Sequence, residues 1–147
     1  MIYRILVMGS YSSLSVEYRE KKEGSAWLSS VALFVDGEER FAEIGSGGYI
    51  GLHPSELADQ QALTDPSTSP RGVFLYRCDC GELGCGAVMA RVFRSRDQVV
   101  WDHFGSGNQP LPNHDDAVPH NDALFFAEGE YESVMNEVKE LALRHRI

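Results

Sequence analysis

The first third of the chain alternates. In "LSVEYRE", Leu14, Val16 and Tyr18 take turns with Ser15, Glu17 and Arg19, the period of two that a half-buried strand imposes. Before it, "IYRILVMG" mixes apolar and β-prone residues and runs into the turn-like "GSYSS", so a further strand is expected over residues 2–9. After it, "AWLSSVALFVDG" is a longer apolar stretch closed by Asp36-Gly37. That dipeptide suits a two-residue hairpin turn, whose central positions need positive φ. "GSGGYIG" reads as another turn; it lacks the Lys and Ser/Thr that a phosphate-binding loop requires.

The pattern then changes. His53-Pro54 opens a short helix near residues 54–63, with proline at the first helical position, where its missing N–H costs nothing. "TDPSTSPRG" is a loop. Three strands are expected around residues 73–80, 85–94 and 97–104, paired antiparallel as a meander, with "GELG" turning the first into the second. "GSGNQPLPNHDDAVPHND", residues 105–122, is a long loop, and "ALFFA" a short strand. In "EYESVMNEVKELALRH", Tyr131, Val134, Met135, Val138, Leu141 and Ala142 fall on one face at helical spacing. No repeat or linker interrupts the 147 residues, which read as one domain over 1–147. The fold class expected is α+β: an antiparallel meander with a C-terminal amphipathic helix packed on one face.

Charge narrows the partners. Twenty-two acids against 13 bases give a formal net charge of -9. Phosphate binding needs clustered Lys and Arg, so a nucleic-acid surface is disfavoured, as is binding to an anionic membrane. A basic protein partner fits the charge, and so does plain solubility. The N-terminus has neither a basic leader region nor a small-residue cleavage site, and no apolar run reaches the length of a membrane span. A cytoplasmic location with reduced thiols is the expectation.

All three cysteines lie in "CDCGELGC", at Cys78, Cys80 and Cys85. As a structural zinc site they would supply three thiolates. A histidine from outside the motif would complete the set, His103 being preferred over the others because it ends the following strand. Against zinc, C-x-C-x4-C is not the usual C-x2-C spacing, and there is no second cysteine pair. A nucleophilic or redox thiol is disfavoured by Asp79 and Glu82, whose charges oppose a thiolate. The reading preferred here is a structural turn made by Gly81 and Gly84, with the sulfurs packing as small hydrophobes. His114, Asp115, Asp116, His120 and Asp122 are dense enough to hold a divalent ion, but a solvated polar loop explains them more simply. Trp27 and Trp101 sit in strand-like runs and are read as core. Arg77, Arg91, Arg94 and Arg96 are expected to pair with Asp79, Asp97 and Glu82 across the sheet. No G-x-S-x-G elbow occurs.

The run Cys78, Cys80, Gly81, Glu82, Gly84, Cys85, followed by Val99, Trp101, Phe104 and then Phe125, Phe126, Tyr131, resembles a group of uncharacterised bacterial proteins of actinomycete type. These carry a C-x-C-G-E-x-G-C hairpin followed by a V-x-W-x-x-F strand. "LFVDGEERFAEI" is similar to the early strand-turn of that group. The resemblance runs from residue 31 onward and implies a shared hairpin, but no reaction and no catalytic residues. Members often place a bulky residue after the last cysteine, where this chain has Gly86.

The sequence discloses no reaction. It suits a small acidic non-enzymatic protein, a protein-binding module of the immunity or antitoxin-like kind that meets a basic toxin through surface carboxylates. The alternative is a metal-binding protein with a structural or hydrolytic zinc site at Cys78, Cys80, Cys85 and a histidine.

Overall fold

The alternation of the first third becomes a two-stranded ribbon. In the computed structural model, which describes residues 11–24, 26–40, 49–78, 87–107 and 123–145, β1 (Leu14–Glu23) pairs antiparallel with β2 (Ala26–Val35). Leu14, Val31, Leu33 and Val35 are buried, while Ser15, Glu17 and Arg19 face out. Asp36 and Gly37 turn the chain at φ 53 and 83, as the dipeptide predicts.

A second sheet holds five strands in the order β3 (Tyr49–Gly51), β4 (Arg71–Cys78), β5 (Ala87–Ser95), β6 (Gln98–Gly107), β7 (Leu124–Ala127), each antiparallel to the next. β4, β5 and β6 are the expected meander, with β6 running on to Gly107. The strand expected over residues 2–9, the turn 79–86 and the loop 108–122 lie outside the described residues. The glycine-rich stretch read as a turn ends in strand β3.

The helix expected near 54–63 is two short ones, α1 (Pro54–Ala58) and α2 (Gln61–Thr64). Gln60 between them is extended, at φ -84 and ψ 92. Its side-chain amide accepts from the Phe74 N–H at 2.7 Å and donates to the Phe74 carbonyl at 2.8 Å. One glutamine thus continues the ladder of β4 past the three-residue β3, satisfying backbone groups that would otherwise lack partners. Helical backbone at Gln60 would withdraw that amide.

The C-terminal helix α3 (Glu128–Arg144) buries Tyr131, Val134, Met135 and Val138, with Leu141 and Ala142 half-buried. This is the apolar stripe read from the sequence. It meets the core cluster formed by Val88, Ala90 and Val92 of β5, Val99 and Trp101 of β6, and Phe126 of β7. Trp101 stands edge-on to Phe126 and Tyr131, with centroids 5.0 and 6.1 Å apart, a geometry favoured by the ring quadrupoles. The Trp101 Nε1–H donates to the Tyr131 hydroxyl at 3.2 Å, which donates to the Leu63 carbonyl at 2.5 Å. Both aromatic polar groups are therefore satisfied in the interior, and burial raises the Tyr131 phenol pKa.

Among the described residues, two backbone hydrogen bonds join the ribbon and its approach to the larger sheet. The Val31 N–H donates to the Leu52 carbonyl at 2.9 Å, and the Ser12 N–H to the Phe125 carbonyl of β7 at 2.8 Å. At the first contact the backbones come so close that a Cβ on Gly51 would overlap the Val31 carbonyl oxygen and sit 2.7 Å from its carbonyl carbon. Gly51→Ala is therefore expected to cost at least about 3 kcal/mol, more than ordinary overpacking, because backbone must move. Urea unfolding of the variant checks this; a midpoint equal to that of the wild type would remove Gly51 as the joint.

Candidate functional site

The register shows where the residues singled out by sequence fall. Cys78 is the last residue of β4 and pairs with Tyr49 of β3; Cys80 and Cys85 lie outside the described residues, as do His114, Asp115, Asp116, His120 and Asp122. His103 sits in the middle of β6, opposite Ala90 of β5. Two strand spacings and three to four residues separate it from Cys78, roughly 15 Å along the sheet. The backbone does not bring His103 beside Cys78.

Two bulges shape the sheet at β5. On one side Leu75 is the additional residue in β4, between the pairs Phe74–Met89 and Tyr76–Val88. On the other, His103 and Phe104 together oppose Ala90, between the pairs Met89–Gly105 and Arg91–Asp102. His103 takes φ 51, the left-handed region that non-glycine residues rarely enter. The bulge reverses the side-chain alternation. Trp101 and Phe104 both enter the core, and Asp102 and His103 lie between them. A strict period of two would have put His103 on the side of Trp101; instead its side chain is 52% exposed.

On the face of β5 and β6 away from the core, Arg91 and Asp102 are direct cross-strand partners. The guanidinium grips the carboxylate with two bonds, Nε to Oδ1 and Nη2 to Oδ2, each 2.7 Å. The planar fork matches the carboxylate. His103 Nδ1 lies 3.1 Å from Asp102 Oδ1. The Arg91 guanidinium also stands 5.6 Å from the Phe93 ring centroid, within cation–π range. Burial pushes the Asp102 carboxyl upward, but hydrogen bonds from Arg91 and His103 outweigh it and hold the pKa below its usual 3.8.

Arg77, Arg91 and Arg94 each pair with a carboxylate; of the partners expected, Asp79 and Glu82 lie outside the described residues, and no pair is described for Arg96. Arg77 of β4 reaches Glu56 of α1. Arg91 takes Asp102. Arg94, 18% exposed, lies 2.7 Å from Glu128 at the start of α3, 3.6 Å from Asp65 and 3.8 Å from Glu132, and its Nε donates to the Pro66 carbonyl at 3.1 Å. Arg19 of β1 bonds Glu17 and Glu39. For Arg77, Arg91 and Arg94 the guanidinium finds a carboxylate on another element. Sequence adjacency could not indicate such partners, because only the folded register brings them together. Trp101 is core, as read; the Trp27 side chain lies outside the described set.

With those arginines paired internally, the outward face of α3 presents Glu132, Asn136, Glu137, Lys139 and Glu140 to solvent. Leu143 stands among them at 63% exposure. Among the described residues no group of three or more His, Cys, Asp or Glu side chains is placed to hold a metal ion, and no helix is long and apolar enough to cross a membrane. No family model, curated protein or solved structure matches the chain at a significant level.

The Arg91–Asp102 pair makes a pH-dependent contribution. Because the folded-state pKa of Asp102 is lowered, the stabilisation is present above the ordinary carboxylate value and is lost as pH falls through the lowered one. Asp102→Asn keeps the size but removes the charge, leaving Arg91 without its anion. A loss of about 1–2 kcal/mol at pH 7 is expected, with a smaller loss at pH 3, below the ordinary carboxylate value. Urea midpoints at both pH values check this, and an equal loss at both would show that packing rather than charge is responsible.

Proposed function

We propose that this protein is a non-enzymatic binding module of the immunity or antitoxin-like kind, docking a basic protein partner through the outward face of α3. The observation that carries the reading is the disposition of charge. Arg19, Arg77, Arg91 and Arg94 are tied to carboxylates within the fold. Among the described residues, the outward face of α3 carries Glu137 together with Glu132, which also faces Arg94, and Glu140, which pairs with Arg144 at 2.7 Å. Leu143 adds an exposed apolar anchor to that stripe. Carboxylates around a small apolar contact give fast, salt-sensitive encounter with a cationic surface. The chain is read as bacterial, in keeping with the group it resembles, and as cytoplasmic from its sequence pattern.

The test is inhibition of a basic nuclease, with the products of neighbouring genes as the first candidates. Coexpression is expected to protect the cell, and purified chain is expected to bind with an association rate that falls steeply between low and physiological salt. The variant carrying Glu132→Lys, Glu137→Lys and Glu140→Lys should keep its far-ultraviolet circular dichroism and associate at least about tenfold more slowly. Association insensitive to both salt and charge reversal would overturn the reading.

The same reading takes "CDCGELGC" as a structural turn with reduced thiols and no resident zinc. Elemental analysis of untagged protein is expected to find zinc well below one per chain. The Cys78→Ser, Cys80→Ser, Cys85→Ser variant should fold with a modest loss of stability. One zinc per chain, lost in that variant together with the fold, would assign the turn to a metal site instead.

A further inference from the structure

His53 caps α1, and it does so with its ring. Its Nδ1 accepts the backbone N–H of Ser55 at 3.0 Å, while its own backbone N–H donates to Glu56 Oε1, also at 3.0 Å. The two bonds form a reciprocal capping box. In the usual form the capping atom is a hydroxyl or carboxylate oxygen, which accepts at any neutral or mildly acidic pH. An imidazole nitrogen accepts only when it carries no proton. With Nδ1 accepting, the proton of the neutral ring belongs on Nε2.

The surroundings sharpen the contrast between the two protonation states. Glu56 of α1 faces His53, and its carboxylate is already engaged by Arg77 of β4. Arg77 and His145, just past α3, both act against a charge on His53, and burial acts in the same direction and is the largest cause; together they lower its pKa from 6.5. His145 is itself stacked on Tyr18 of β1, with ring centroids 3.9 Å apart. The Tyr18 hydroxyl bonds Glu20 of β1 and Ser29 of β2. Among the described residues, Glu56 is thus the carboxylate on His53 itself, with Glu20 reached only through Tyr18. α1 places Pro54 and Leu57 in the core and packs on α3.

We propose that His53 is a pH-sensitive latch: the cap on α1 is complete only while the imidazole is neutral, so mild acid loosens α1 from its seat between β4, the ribbon and the end of α3. Protonation turns the Nδ1 acceptor into a donor facing the Ser55 N–H. It also adds a cation beside Arg77. With the folded-state pKa lowered, the cap is intact above 6.5 and lost as pH falls through the lowered value.

Two measurements on the whole chain test this. In the first, backbone hydrogen exchange is followed at the Ser55 and Leu57 amides at pH 7.5 and pH 5, corrected for intrinsic rates. Local opening in the wild type is expected to rise about fivefold relative to His53→Asn at the lower pH, the factor that one lost cap represents. Asparagine keeps a capping oxygen and does not titrate. Equal pH dependence in wild type and variant would overturn the latch. In the second, the ring nitrogens of His53 are followed by 15N resonance in the wild type, which needs no variant to fold. The proton is expected on Nε2 at pH 7.5, with titration below 6.5. A proton on Nδ1 at pH 7.5, or titration at or above 6.5, would sink the proposal.

Discussion

The backbones of Val31 and Gly51 lie in contact, with no room for a side chain between them. The rest of the fold depends on that approach. A two-stranded ribbon is marginal by itself, and this one has ten-residue strands. It gains its core by laying Val31, Leu33 and Val35 into the hydrophobic cluster of a separate five-stranded sheet. The joint needs one residue without a Cβ at the end of β3, and one hydrogen bond, from Val31 to Leu52, to fix the register. A second bond, from Ser12 to Phe125 of β7, ties the beginning of the ribbon to the opposite edge. Both edges of the sheet are thus held by the ribbon or its approach, and Gln60 covers β4 where β3 stops. Edge strands left bare would invite pairing with other chains.

Buried hydroxyls extend the same logic to the core. Tyr76 is fully buried, yet its hydroxyl accepts the Leu33 N–H at 2.8 Å and donates to Glu39 at 2.7 Å. Burial, with Glu39 beside it, keeps that phenol protonated well above its normal range. The bond crosses from β4 to β2, so it fixes the ribbon over the sheet as Tyr131 fixes α3 over β6. Each of these tyrosines brings large apolar area inside while its polar end closes a backbone group that would otherwise be unsatisfied.

Much of this was legible in the chain, and the parts that were not have physical reasons. Strands β1, β2, β4, β5 and β6 showed in alternation or apolar runs, and α3 in its stripe, because burial on one face imposes a period. Asp36-Gly37 announced its turn through backbone preference. The bulges were not legible. In "WDHF" the alternation from Trp101 points His103 inward, and only the count of residues opposite Ala90 reverses it. Gly51 was misread because a glycine required for close approach looks the same as a glycine required for a turn. The ion pairs that the fold shows were hidden for a third reason: Arg77, Arg91 and Arg94 meet carboxylates that are 21 residues before, 11 after, and up to 38 away in the chain. Capping by His53 left no signal either, since imidazole is not among the usual capping groups.

Arg94 shows how the internal pairs bear on the surface. It lies at the end of β5, where the loop after α2 and the first turn of α3 converge, and it faces Asp65, Glu128 and Glu132 at once. A single cation cannot neutralise three carboxylates. The arrangement leaves net negative charge at the start of α3, where the helix dipole also favours anions. Further along the helix stand Glu137 and Glu140, the latter paired with Arg144. The pair that anchors the helix to the sheet therefore also sets the position of the acidic stripe. A rigid anchor reduces the ordering cost that a cationic partner would meet on contact.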